Sequence, residues 1–253
     1  MESIAIISDI HGNTTALEAV IKDIRSRNIK RVFCLGDFIG KGPDPAKALD
    51  MFCEFCEKAV MGNWDALVAL IDPGVPVSDG LQQHIDWHRS RLGPDRMEIL
   101  ARLPFALDFT MSGRKVRLLH ASPQGLFYRV FHEDTEAKHL GMFANTEYTS
   151  PEFIPDVVGY SDIHHAFCKS YDHKLLFNVG SVGNPLDVPT ASYAVIEGNY
   201  GSPGEDTFNI DIIRLPYDIE TEIAKARRSG MPEIEAYVAE LKTGVYRGRR
   251  GLT

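Results

Sequence analysis

Ser3-Ile4-Ala5-Ile6-Ile7-Ser8-Asp9-Ile10-His11-Gly12-Asn13 is the stretch whose reading decides the fold. Its apolar run is short and unbroken, as in a strand buried on both faces, and a carboxylate and an imidazole follow directly where the run ends. Asn13 can then cap a helix whose apolar residues Ala16, Leu17, Ala19, Val20 and Ile24 share one face. The pattern repeats downstream. Arg31 to Leu35 reads as a second strand ending at Gly36-Asp37, Pro45 to Lys58 as a second helix, and Ala59 to Met61 as a third strand ending at Gly62-Asn63. Such alternation specifies βαβ units and a largely parallel sheet, hence an α/β fold.

Polar residues follow apolar runs twice more: Val116 to Leu119 releases His120, and Asp156 to Gly159 releases Asp162-Ile163-His164. Strands of one sheet that end at the same edge can gather carboxylates, imidazoles and an amide from across a chain. Mixed His, Asp and Asn donors suit Mn2+, Fe or Zn2+ better than Mg2+. Two ions that share one carboxylate can neutralise a phosphoryl group and supply a nucleophile near neutral pH, and Asp37 is the natural bridge.

The 253 residues, 44% of them hydrophobic, can bury a substantial core, and one domain spanning 1–253 is expected. A helical insertion at about 66–103 is broken by Pro73-Gly74, Pro76 and Gly93-Pro94, and two amphipathic helices at about 217–242 close the chain. From Phe105 onward strand-like segments dominate, so the second half is expected to supply another sheet. The net charge of -8 argues against a general nucleic-acid footprint, though it leaves room for a local basic pocket. With no signal-peptide pattern and no membrane-spanning run, a cytoplasmic protein is expected. Cys53 and Cys56 form a CxxC inside a helix with no second pair, which favours simple packing over zinc or redox chemistry. The basic tail Arg247 to Arg250 reads as a solvated end.

Asp9-x-His11, Gly36-Asp37, Gly62-Asn63-x-Asp65, His120 and Ser161-Asp162-Ile163-His164, in this order, resemble the calcineurin-like metallophosphoesterases. The segment ending Val179-Gly180-Ser181-Val182-Gly183-Asn184-Pro185 adds to the likeness. The resemblance implies a four-layer α-β-β-α sandwich with two mixed β-sheets and a metal centre at the strand ends. Carried over by position, one ion would take Asp9, His11, Asp37 and His164, and a second Asp37, Asn63, His120 and Asp162. It further implies in-line attack on phosphorus by a metal-bridging hydroxide, with Asp37, Asn63 and Asp65 as catalytic residues and Lys41 and His165 near the substrate.

Two positions depart from the family pattern. Asp162 stands where members carry a histidine, which adds negative charge beside the second ion; Mn or Fe is therefore favoured, with Zn possible, and an alkaline-shifted pH profile is expected. Trp64 stands where many members place the histidine that protonates the leaving group, a task indole cannot perform. His84 and His88 have i, i+4 spacing in the insertion and read as an exposed helix face, while Lys41 reads as a surface lysine unless it reaches the substrate. Arg89, Arg91 and Arg129 are further candidates without a fixed direction, and Tyr128 to His132, aromatic and basic enough to receive a nucleobase, reads rather as a partly buried core edge.

The expected activity is thus dinuclear hydrolysis of a phosphodiester or a nucleotide phosphoanhydride, bonds that need little leaving-group protonation. The alternatives are a protein Ser/Thr-type phosphomonoesterase and a catalytically weak metal or nucleotide sensor. A small phosphate ester, with nucleotides among the candidates, is the partner class expected.

Overall fold

The computed structural model describes residues 1–69 and 76–249; Pro73, Gly74 and Arg250, named above, lie outside them. The first half runs β1 (Glu2–Ile7), α1 (Thr14–Ser26), β2 (Arg31–Cys34), α2 (Pro45–Phe55), β3 (Lys58–Ala59), α3 (Asn63–Val68) and α4 (Asp79–Ala101). Next come β4 (Ala106–Met111), β5 (Arg114–Leu119), α5 (Glu136–Leu140), β6 (Val157–Tyr160), β7 (Phe167–Tyr171) and β8 (Lys174–Asn178). The chain closes with β9 (Ala191–Gly198), β10 (Asn209–Leu215), α6 (Ile219–Ser229) and α7 (Ile234–Thr243).

β1, β2 and β3 are parallel, joined by α1 and α2 as the alternation requires. Asn13 caps α1, its Oδ1 accepting the Ala16 N–H at 2.9 Å, and the helix turns Ala16, Leu17, Val20 and Ile24 inward. α2 stops at Phe55 rather than Lys58, because Cys56 adopts extended backbone leading into β3.

The second sheet has the order β4-β5-β6-β8-β7, with β5, β6 and β8 parallel and the two edge strands antiparallel. The second half does supply another sheet, but not all of its strands join it. β9 and β10 return to the first sheet, whose order is β10-β9-β1-β2-β3. Ile4 to Ile7 of β1 are fully buried, and a buried strand needs hydrogen-bond partners on both edges; β2 satisfies only one.

Side-chain alternation along β1 divides the core. Ile4 and Ile6 join Phe33, Leu118 and Phe177 between the sheets, whereas Ala5 and Ile7 face Leu17, Val20 and Leu49 under the helices. Leu92 of α4 completes that helical layer, and the anticipated break at Gly93-Pro94 is a kink with φ 74° at Gly93. Val158, Tyr160 and Leu176 pack outward from the second sheet against Val130, Met142 and Phe143. The result is a four-layer α-β-β-α sandwich with two mixed sheets of five strands. α6 and α7 form a further small cluster that includes Trp87 of α4. The four cysteines are free, with Cys34 buried and Cys53 exposed. Among the described residues no helix is long and apolar enough to cross a membrane.

Candidate metal centre

The expected ligands come from both sheets, which corrects the reading that one sheet edge gathers them. Asp9 and His11 follow β1, Asp37 follows β2 and Asn63 opens α3, while His120 follows β5 and Asp162 and His164 follow β6. Backbone hydrogen bonds fasten the strand ends together: Asp9 N–H to Gly36 O, His11 N–H to Asp37 O, and Ser161 N–H to His120 O. Ser8 Oγ donates to Ser161 Oγ at 2.7 Å and so joins the two sheets directly behind the site. Asp9, His11, Asp37, Asp162 and His164 all hold left-handed backbone, with φ between 50° and 60°. That conformation is uncommon for residues with a Cβ, and its concentration here marks a site whose turns are held by their surroundings.

All three imidazoles are aimed in the same way. His11 Nδ1 lies 3.0 Å from Ile39 O, His120 Nδ1 2.7 Å from Leu35 O and His164 Nδ1 2.5 Å from Asn184 O. Each carbonyl accepts the Nδ1 proton, so Nε2 is the ring atom each imidazole turns toward the centre and can offer to a cation. His11 Nε2 and His164 Nε2 then face each other at 3.1 Å, both as acceptors. His120 Nε2 and both Asp9 carboxylate oxygens are buried with no hydrogen-bond partner. Such an orphaned set is costly unless a cation satisfies it.

Ligand atoms of Asp9, His11 and His164 lie within 4.8 Å of one another, as do those of Asp9, Asp37 and His120. Asp9 therefore adjoins both proposed positions. The electrostatics agree: burial pushes His120 down, yet Asp37, Asp9 and Asp162 raise it to about 9. Burial, reinforced by Asp65, Asp9 and Asp162, drives Asp37 well above the usual carboxylate range despite His120. The pocket holds surplus negative charge that a cation would neutralise. The donor set and its orphaned atoms fit divalent metal.

Asp37 accepts the Trp64 N–H on Oδ1 at 2.9 Å, leaving Oδ2 3.6 Å from both His11 Nε2 and His120 Nε2. Asp65 accepts the backbone N–H groups of Asp37, Phe38 and Gly62 at 2.7, 3.1 and 3.0 Å. Its carboxylate is thereby committed to holding the β2 and β3 turns together, a supporting place rather than one at the reacting centre. Asn63 Nδ2 donates to Asp162 Oδ1, which leaves the amide oxygen available to a cation. Arg129 Nε lies 3.1 Å from Asp162 Oδ2, so the carboxylate that departs from the family pattern is paired with a guanidinium.

Several peripheral readings change. Lys41 is no surface lysine: its Nζ donates to Asn184 Oδ1 at 2.7 Å and lies 3.9 Å from Glu240. His84 and His88 are buried, not exposed, because α4 packs them beside the Trp64 ring at centroid distances of 6.0 and 6.2 Å. Burial holds His88 down to about 3, with His84 adding to the effect. Arg89 turns to the carbonyls of Leu67 and Val68, and Arg91 stacks over Trp87, so neither lines the clefts at the centre. His165 stacks on His132 at 3.7 Å and lines the cleft with it.

Two clefts of about 550 and 420 Å³ meet over Lys41, Asn63, Trp64, Arg129 and Tyr246. Sequence reasoning missed Tyr246, Asn184 and Glu240, and it read Arg247 as solvated. Arg247 instead binds the fully buried Glu240 through its backbone N–H and its Nε, at 3.0 and 2.8 Å. The Asn-Pro at Asn184-Pro185 was the only local signal for any of them.

Residues 2–200 match the family model of the calcineurin-like phosphoesterase superfamily domain. The chain is 31% identical over 256 residues to an uncharacterized protein of Methanocaldococcus jannaschii, covering 91% of this chain and 94% of that one. A metallophosphoesterase from Sphaerobacter thermophilus is similar in structure, with TM-score 0.74, 23% identity and coverage of 96% of this chain and 100% of the other. A hypothetical protein from Pyrococcus horikoshii aligns with TM-score 0.79, 18% identity and coverage of 97% and 100%. At these identities the two structures speak to the fold.

Proposed function

The chain belongs to the calcineurin-like phosphoesterase superfamily of metal-dependent hydrolases, and on that premise we propose that it cleaves phosphodiesters or nucleotide phosphoanhydrides at a two-metal centre. The observation that carries this reading is the buried His120 Nε2 and Asp9 carboxylate left without partners beside the facing Nε2 atoms of His11 and His164. Asp9, His11, Asp37 and His164 would hold one ion and Asp37, Asn63, His120 and Asp162 the other. Metal bound there supplies Lewis-acid polarisation of phosphoryl oxygens and lowers the pKa of water. Manganese or iron suits this carboxylate-rich set.

The chain's own residues orient and balance charge. Backbone carbonyls accept the Nδ1 protons of the three imidazoles and keep their Nε2 atoms aimed inward. Arg129 uses Nε on Asp162 and lines the cleft, which leaves its remaining donors for the phosphate oxygens of a substrate there. Lys41 adds a second positive charge at the same junction, and His165 lines the wall. Trp64 has no proton of useful acidity, which supports bonds whose leaving group departs as a stable anion. The Asn63 and Arg129 contacts to Asp162 also favour, as a second reading, a weakly catalytic metal or nucleotide sensor.

The test is Mn2+-dependent hydrolysis of bis-p-nitrophenyl phosphate against p-nitrophenyl phosphate across pH, with Asp37→Ala as control. Diester turnover that rises on the alkaline side and vanishes in Asp37→Ala is the expected outcome. Preferential monoester cleavage would point to a phosphomonoesterase, and bound metal without turnover would point to the sensor.

A further inference from the structure

The family match ends at residue 200, yet both clefts are partly walled by residues beyond it. α7 terminates at Gly244, whose φ of 64° is the left-handed turn that glycine adopts freely, and the chain then crosses beside the metal centre. Tyr246 lines both clefts, its ring 5.8 Å from Lys41 Nζ, and 42% of the residue is exposed although it is large and aromatic.

This crossing is anchored. Arg247 is held by Glu240 at Nε and Nη2, at 2.8 and 3.1 Å, and pairs through Nη1 with Glu233, which in turn contacts His84 Nε2 at 3.2 Å. Glu240 also accepts Asn184 Nδ2 at 3.2 Å, and the carbonyl of Asn184 accepts His164 Nδ1. One chain of hydrogen bonds therefore joins the C-terminal segment to a proposed metal ligand. A solvated tail would not be built into the site wall in this way. Trp64 and Phe131 face the larger cleft with Tyr246, and both Arg129 and Lys41 stand at the junction for phosphate.

From this placement we infer that Tyr246 is a specificity-determining residue, a stacking surface for a planar aromatic substituent carried on the phosphoester, as a nucleoside or an aryl group would carry it. The inference rests on the phosphoesterase reading above. Arg247 acts as a positioning residue that holds the tyrosine in register. Stacking of a planar ring on an exposed aromatic side chain is tolerant of ring identity, so recognition of this kind selects a class of substituent and not one base.

The experiment compares full-length wild type, Tyr246→Phe, Tyr246→Ala and Arg247→Gln. Mn2+-loaded protein is assayed on three p-nitrophenyl diesters whose other substituent is thymidine, a second p-nitrophenyl group or ethyl. In Tyr246→Ala the preference for the two aromatic esters over the ethyl ester is expected to fall roughly tenfold, through KM and not kcat. Tyr246→Phe keeps the preference and Arg247→Gln loses part of it. Calorimetric titration with adenosine 5′-monophosphate, phenyl phosphate and inorganic phosphate supplies a second readout, with Tyr246→Ala weakening the first two selectively. A loss confined to the nucleotide assigns the surface to nucleosides, and a loss for both assigns it to planar rings in general. Unchanged KM for all three esters, or unchanged ligand binding in Tyr246→Ala, overturns the inference. Failure of wild type to cleave any ester would instead remove the phosphoesterase reading, and the titrations would still judge Tyr246.

Discussion

Gly62 shows how little room the centre leaves at the scale of one residue. A Cβ there would lie 2.1 Å from Asp37 Oδ1 and 2.3 Å from the Asp37 amide nitrogen. The close approach lets Asp37 accept the Trp64 N–H while Asp65 bridges Gly62, Asp37 and Phe38. Gly62→Ala must displace the carboxylate proposed as the shared metal bridge. It is expected to lower metal content and to cut Mn2+-dependent turnover by about 10²-fold, since misplacement by about 1 Å is enough for such a loss. Metal analysis and kinetics on the purified variant check this; a variant with full metal content and near-normal turnover would show that Asp37 is not the bridge.

At the scale of an element, α1 places the first turn of the centre. Asn13 caps the helix through Oδ1, and its Nδ2 donates to Gly183 O at 2.9 Å, tying the β1 turn to the segment that follows β8. Asn13→Ala removes a cap and leaves a buried carbonyl without its donor. The expected cost is about 2 to 3 kcal/mol, read from the urea midpoint at constant slope. A loss below about 0.5 kcal/mol would show that neither contact matters to stability. The paired return of β9 and β10 belongs to this scale as well, because β9 satisfies the edge of β1 that β2 leaves open.

Across the whole molecule, Glu240 joins α7, the C-terminal segment and the loop that carries Asn184. Burial pushes its carboxyl up, but Lys41 and Arg247 overcome this and hold it at about 2 against an ordinary 4.5. A depressed carboxylate stabilises the fold above its unfolded pKa, and that contribution is lost as pH falls from about 4.5 toward 2. Metal-free wild type should therefore lose on the order of 2 kcal/mol more than Glu240→Gln between about pH 5 and about pH 3, measured by urea unfolding. Parallel losses in the two proteins would mean the latch is electrostatically neutral. The order of strands and helices and the ordered set Asp9, His11, Asp37, Asn63, His120, Asp162 and His164 were legible in the sequence, because short apolar runs, caps and the turns between them are local signals. The burial of His84 and His88, the pairing of Arg129 with Asp162, the return of β9 to β1 and the seating of Tyr246 beside Lys41 were decided only by the tertiary structure. Those outcomes depend on contacts such as Lys41 with Asn184 and Asn184 with Glu240, which join residues far apart in the chain and leave no periodic trace in it.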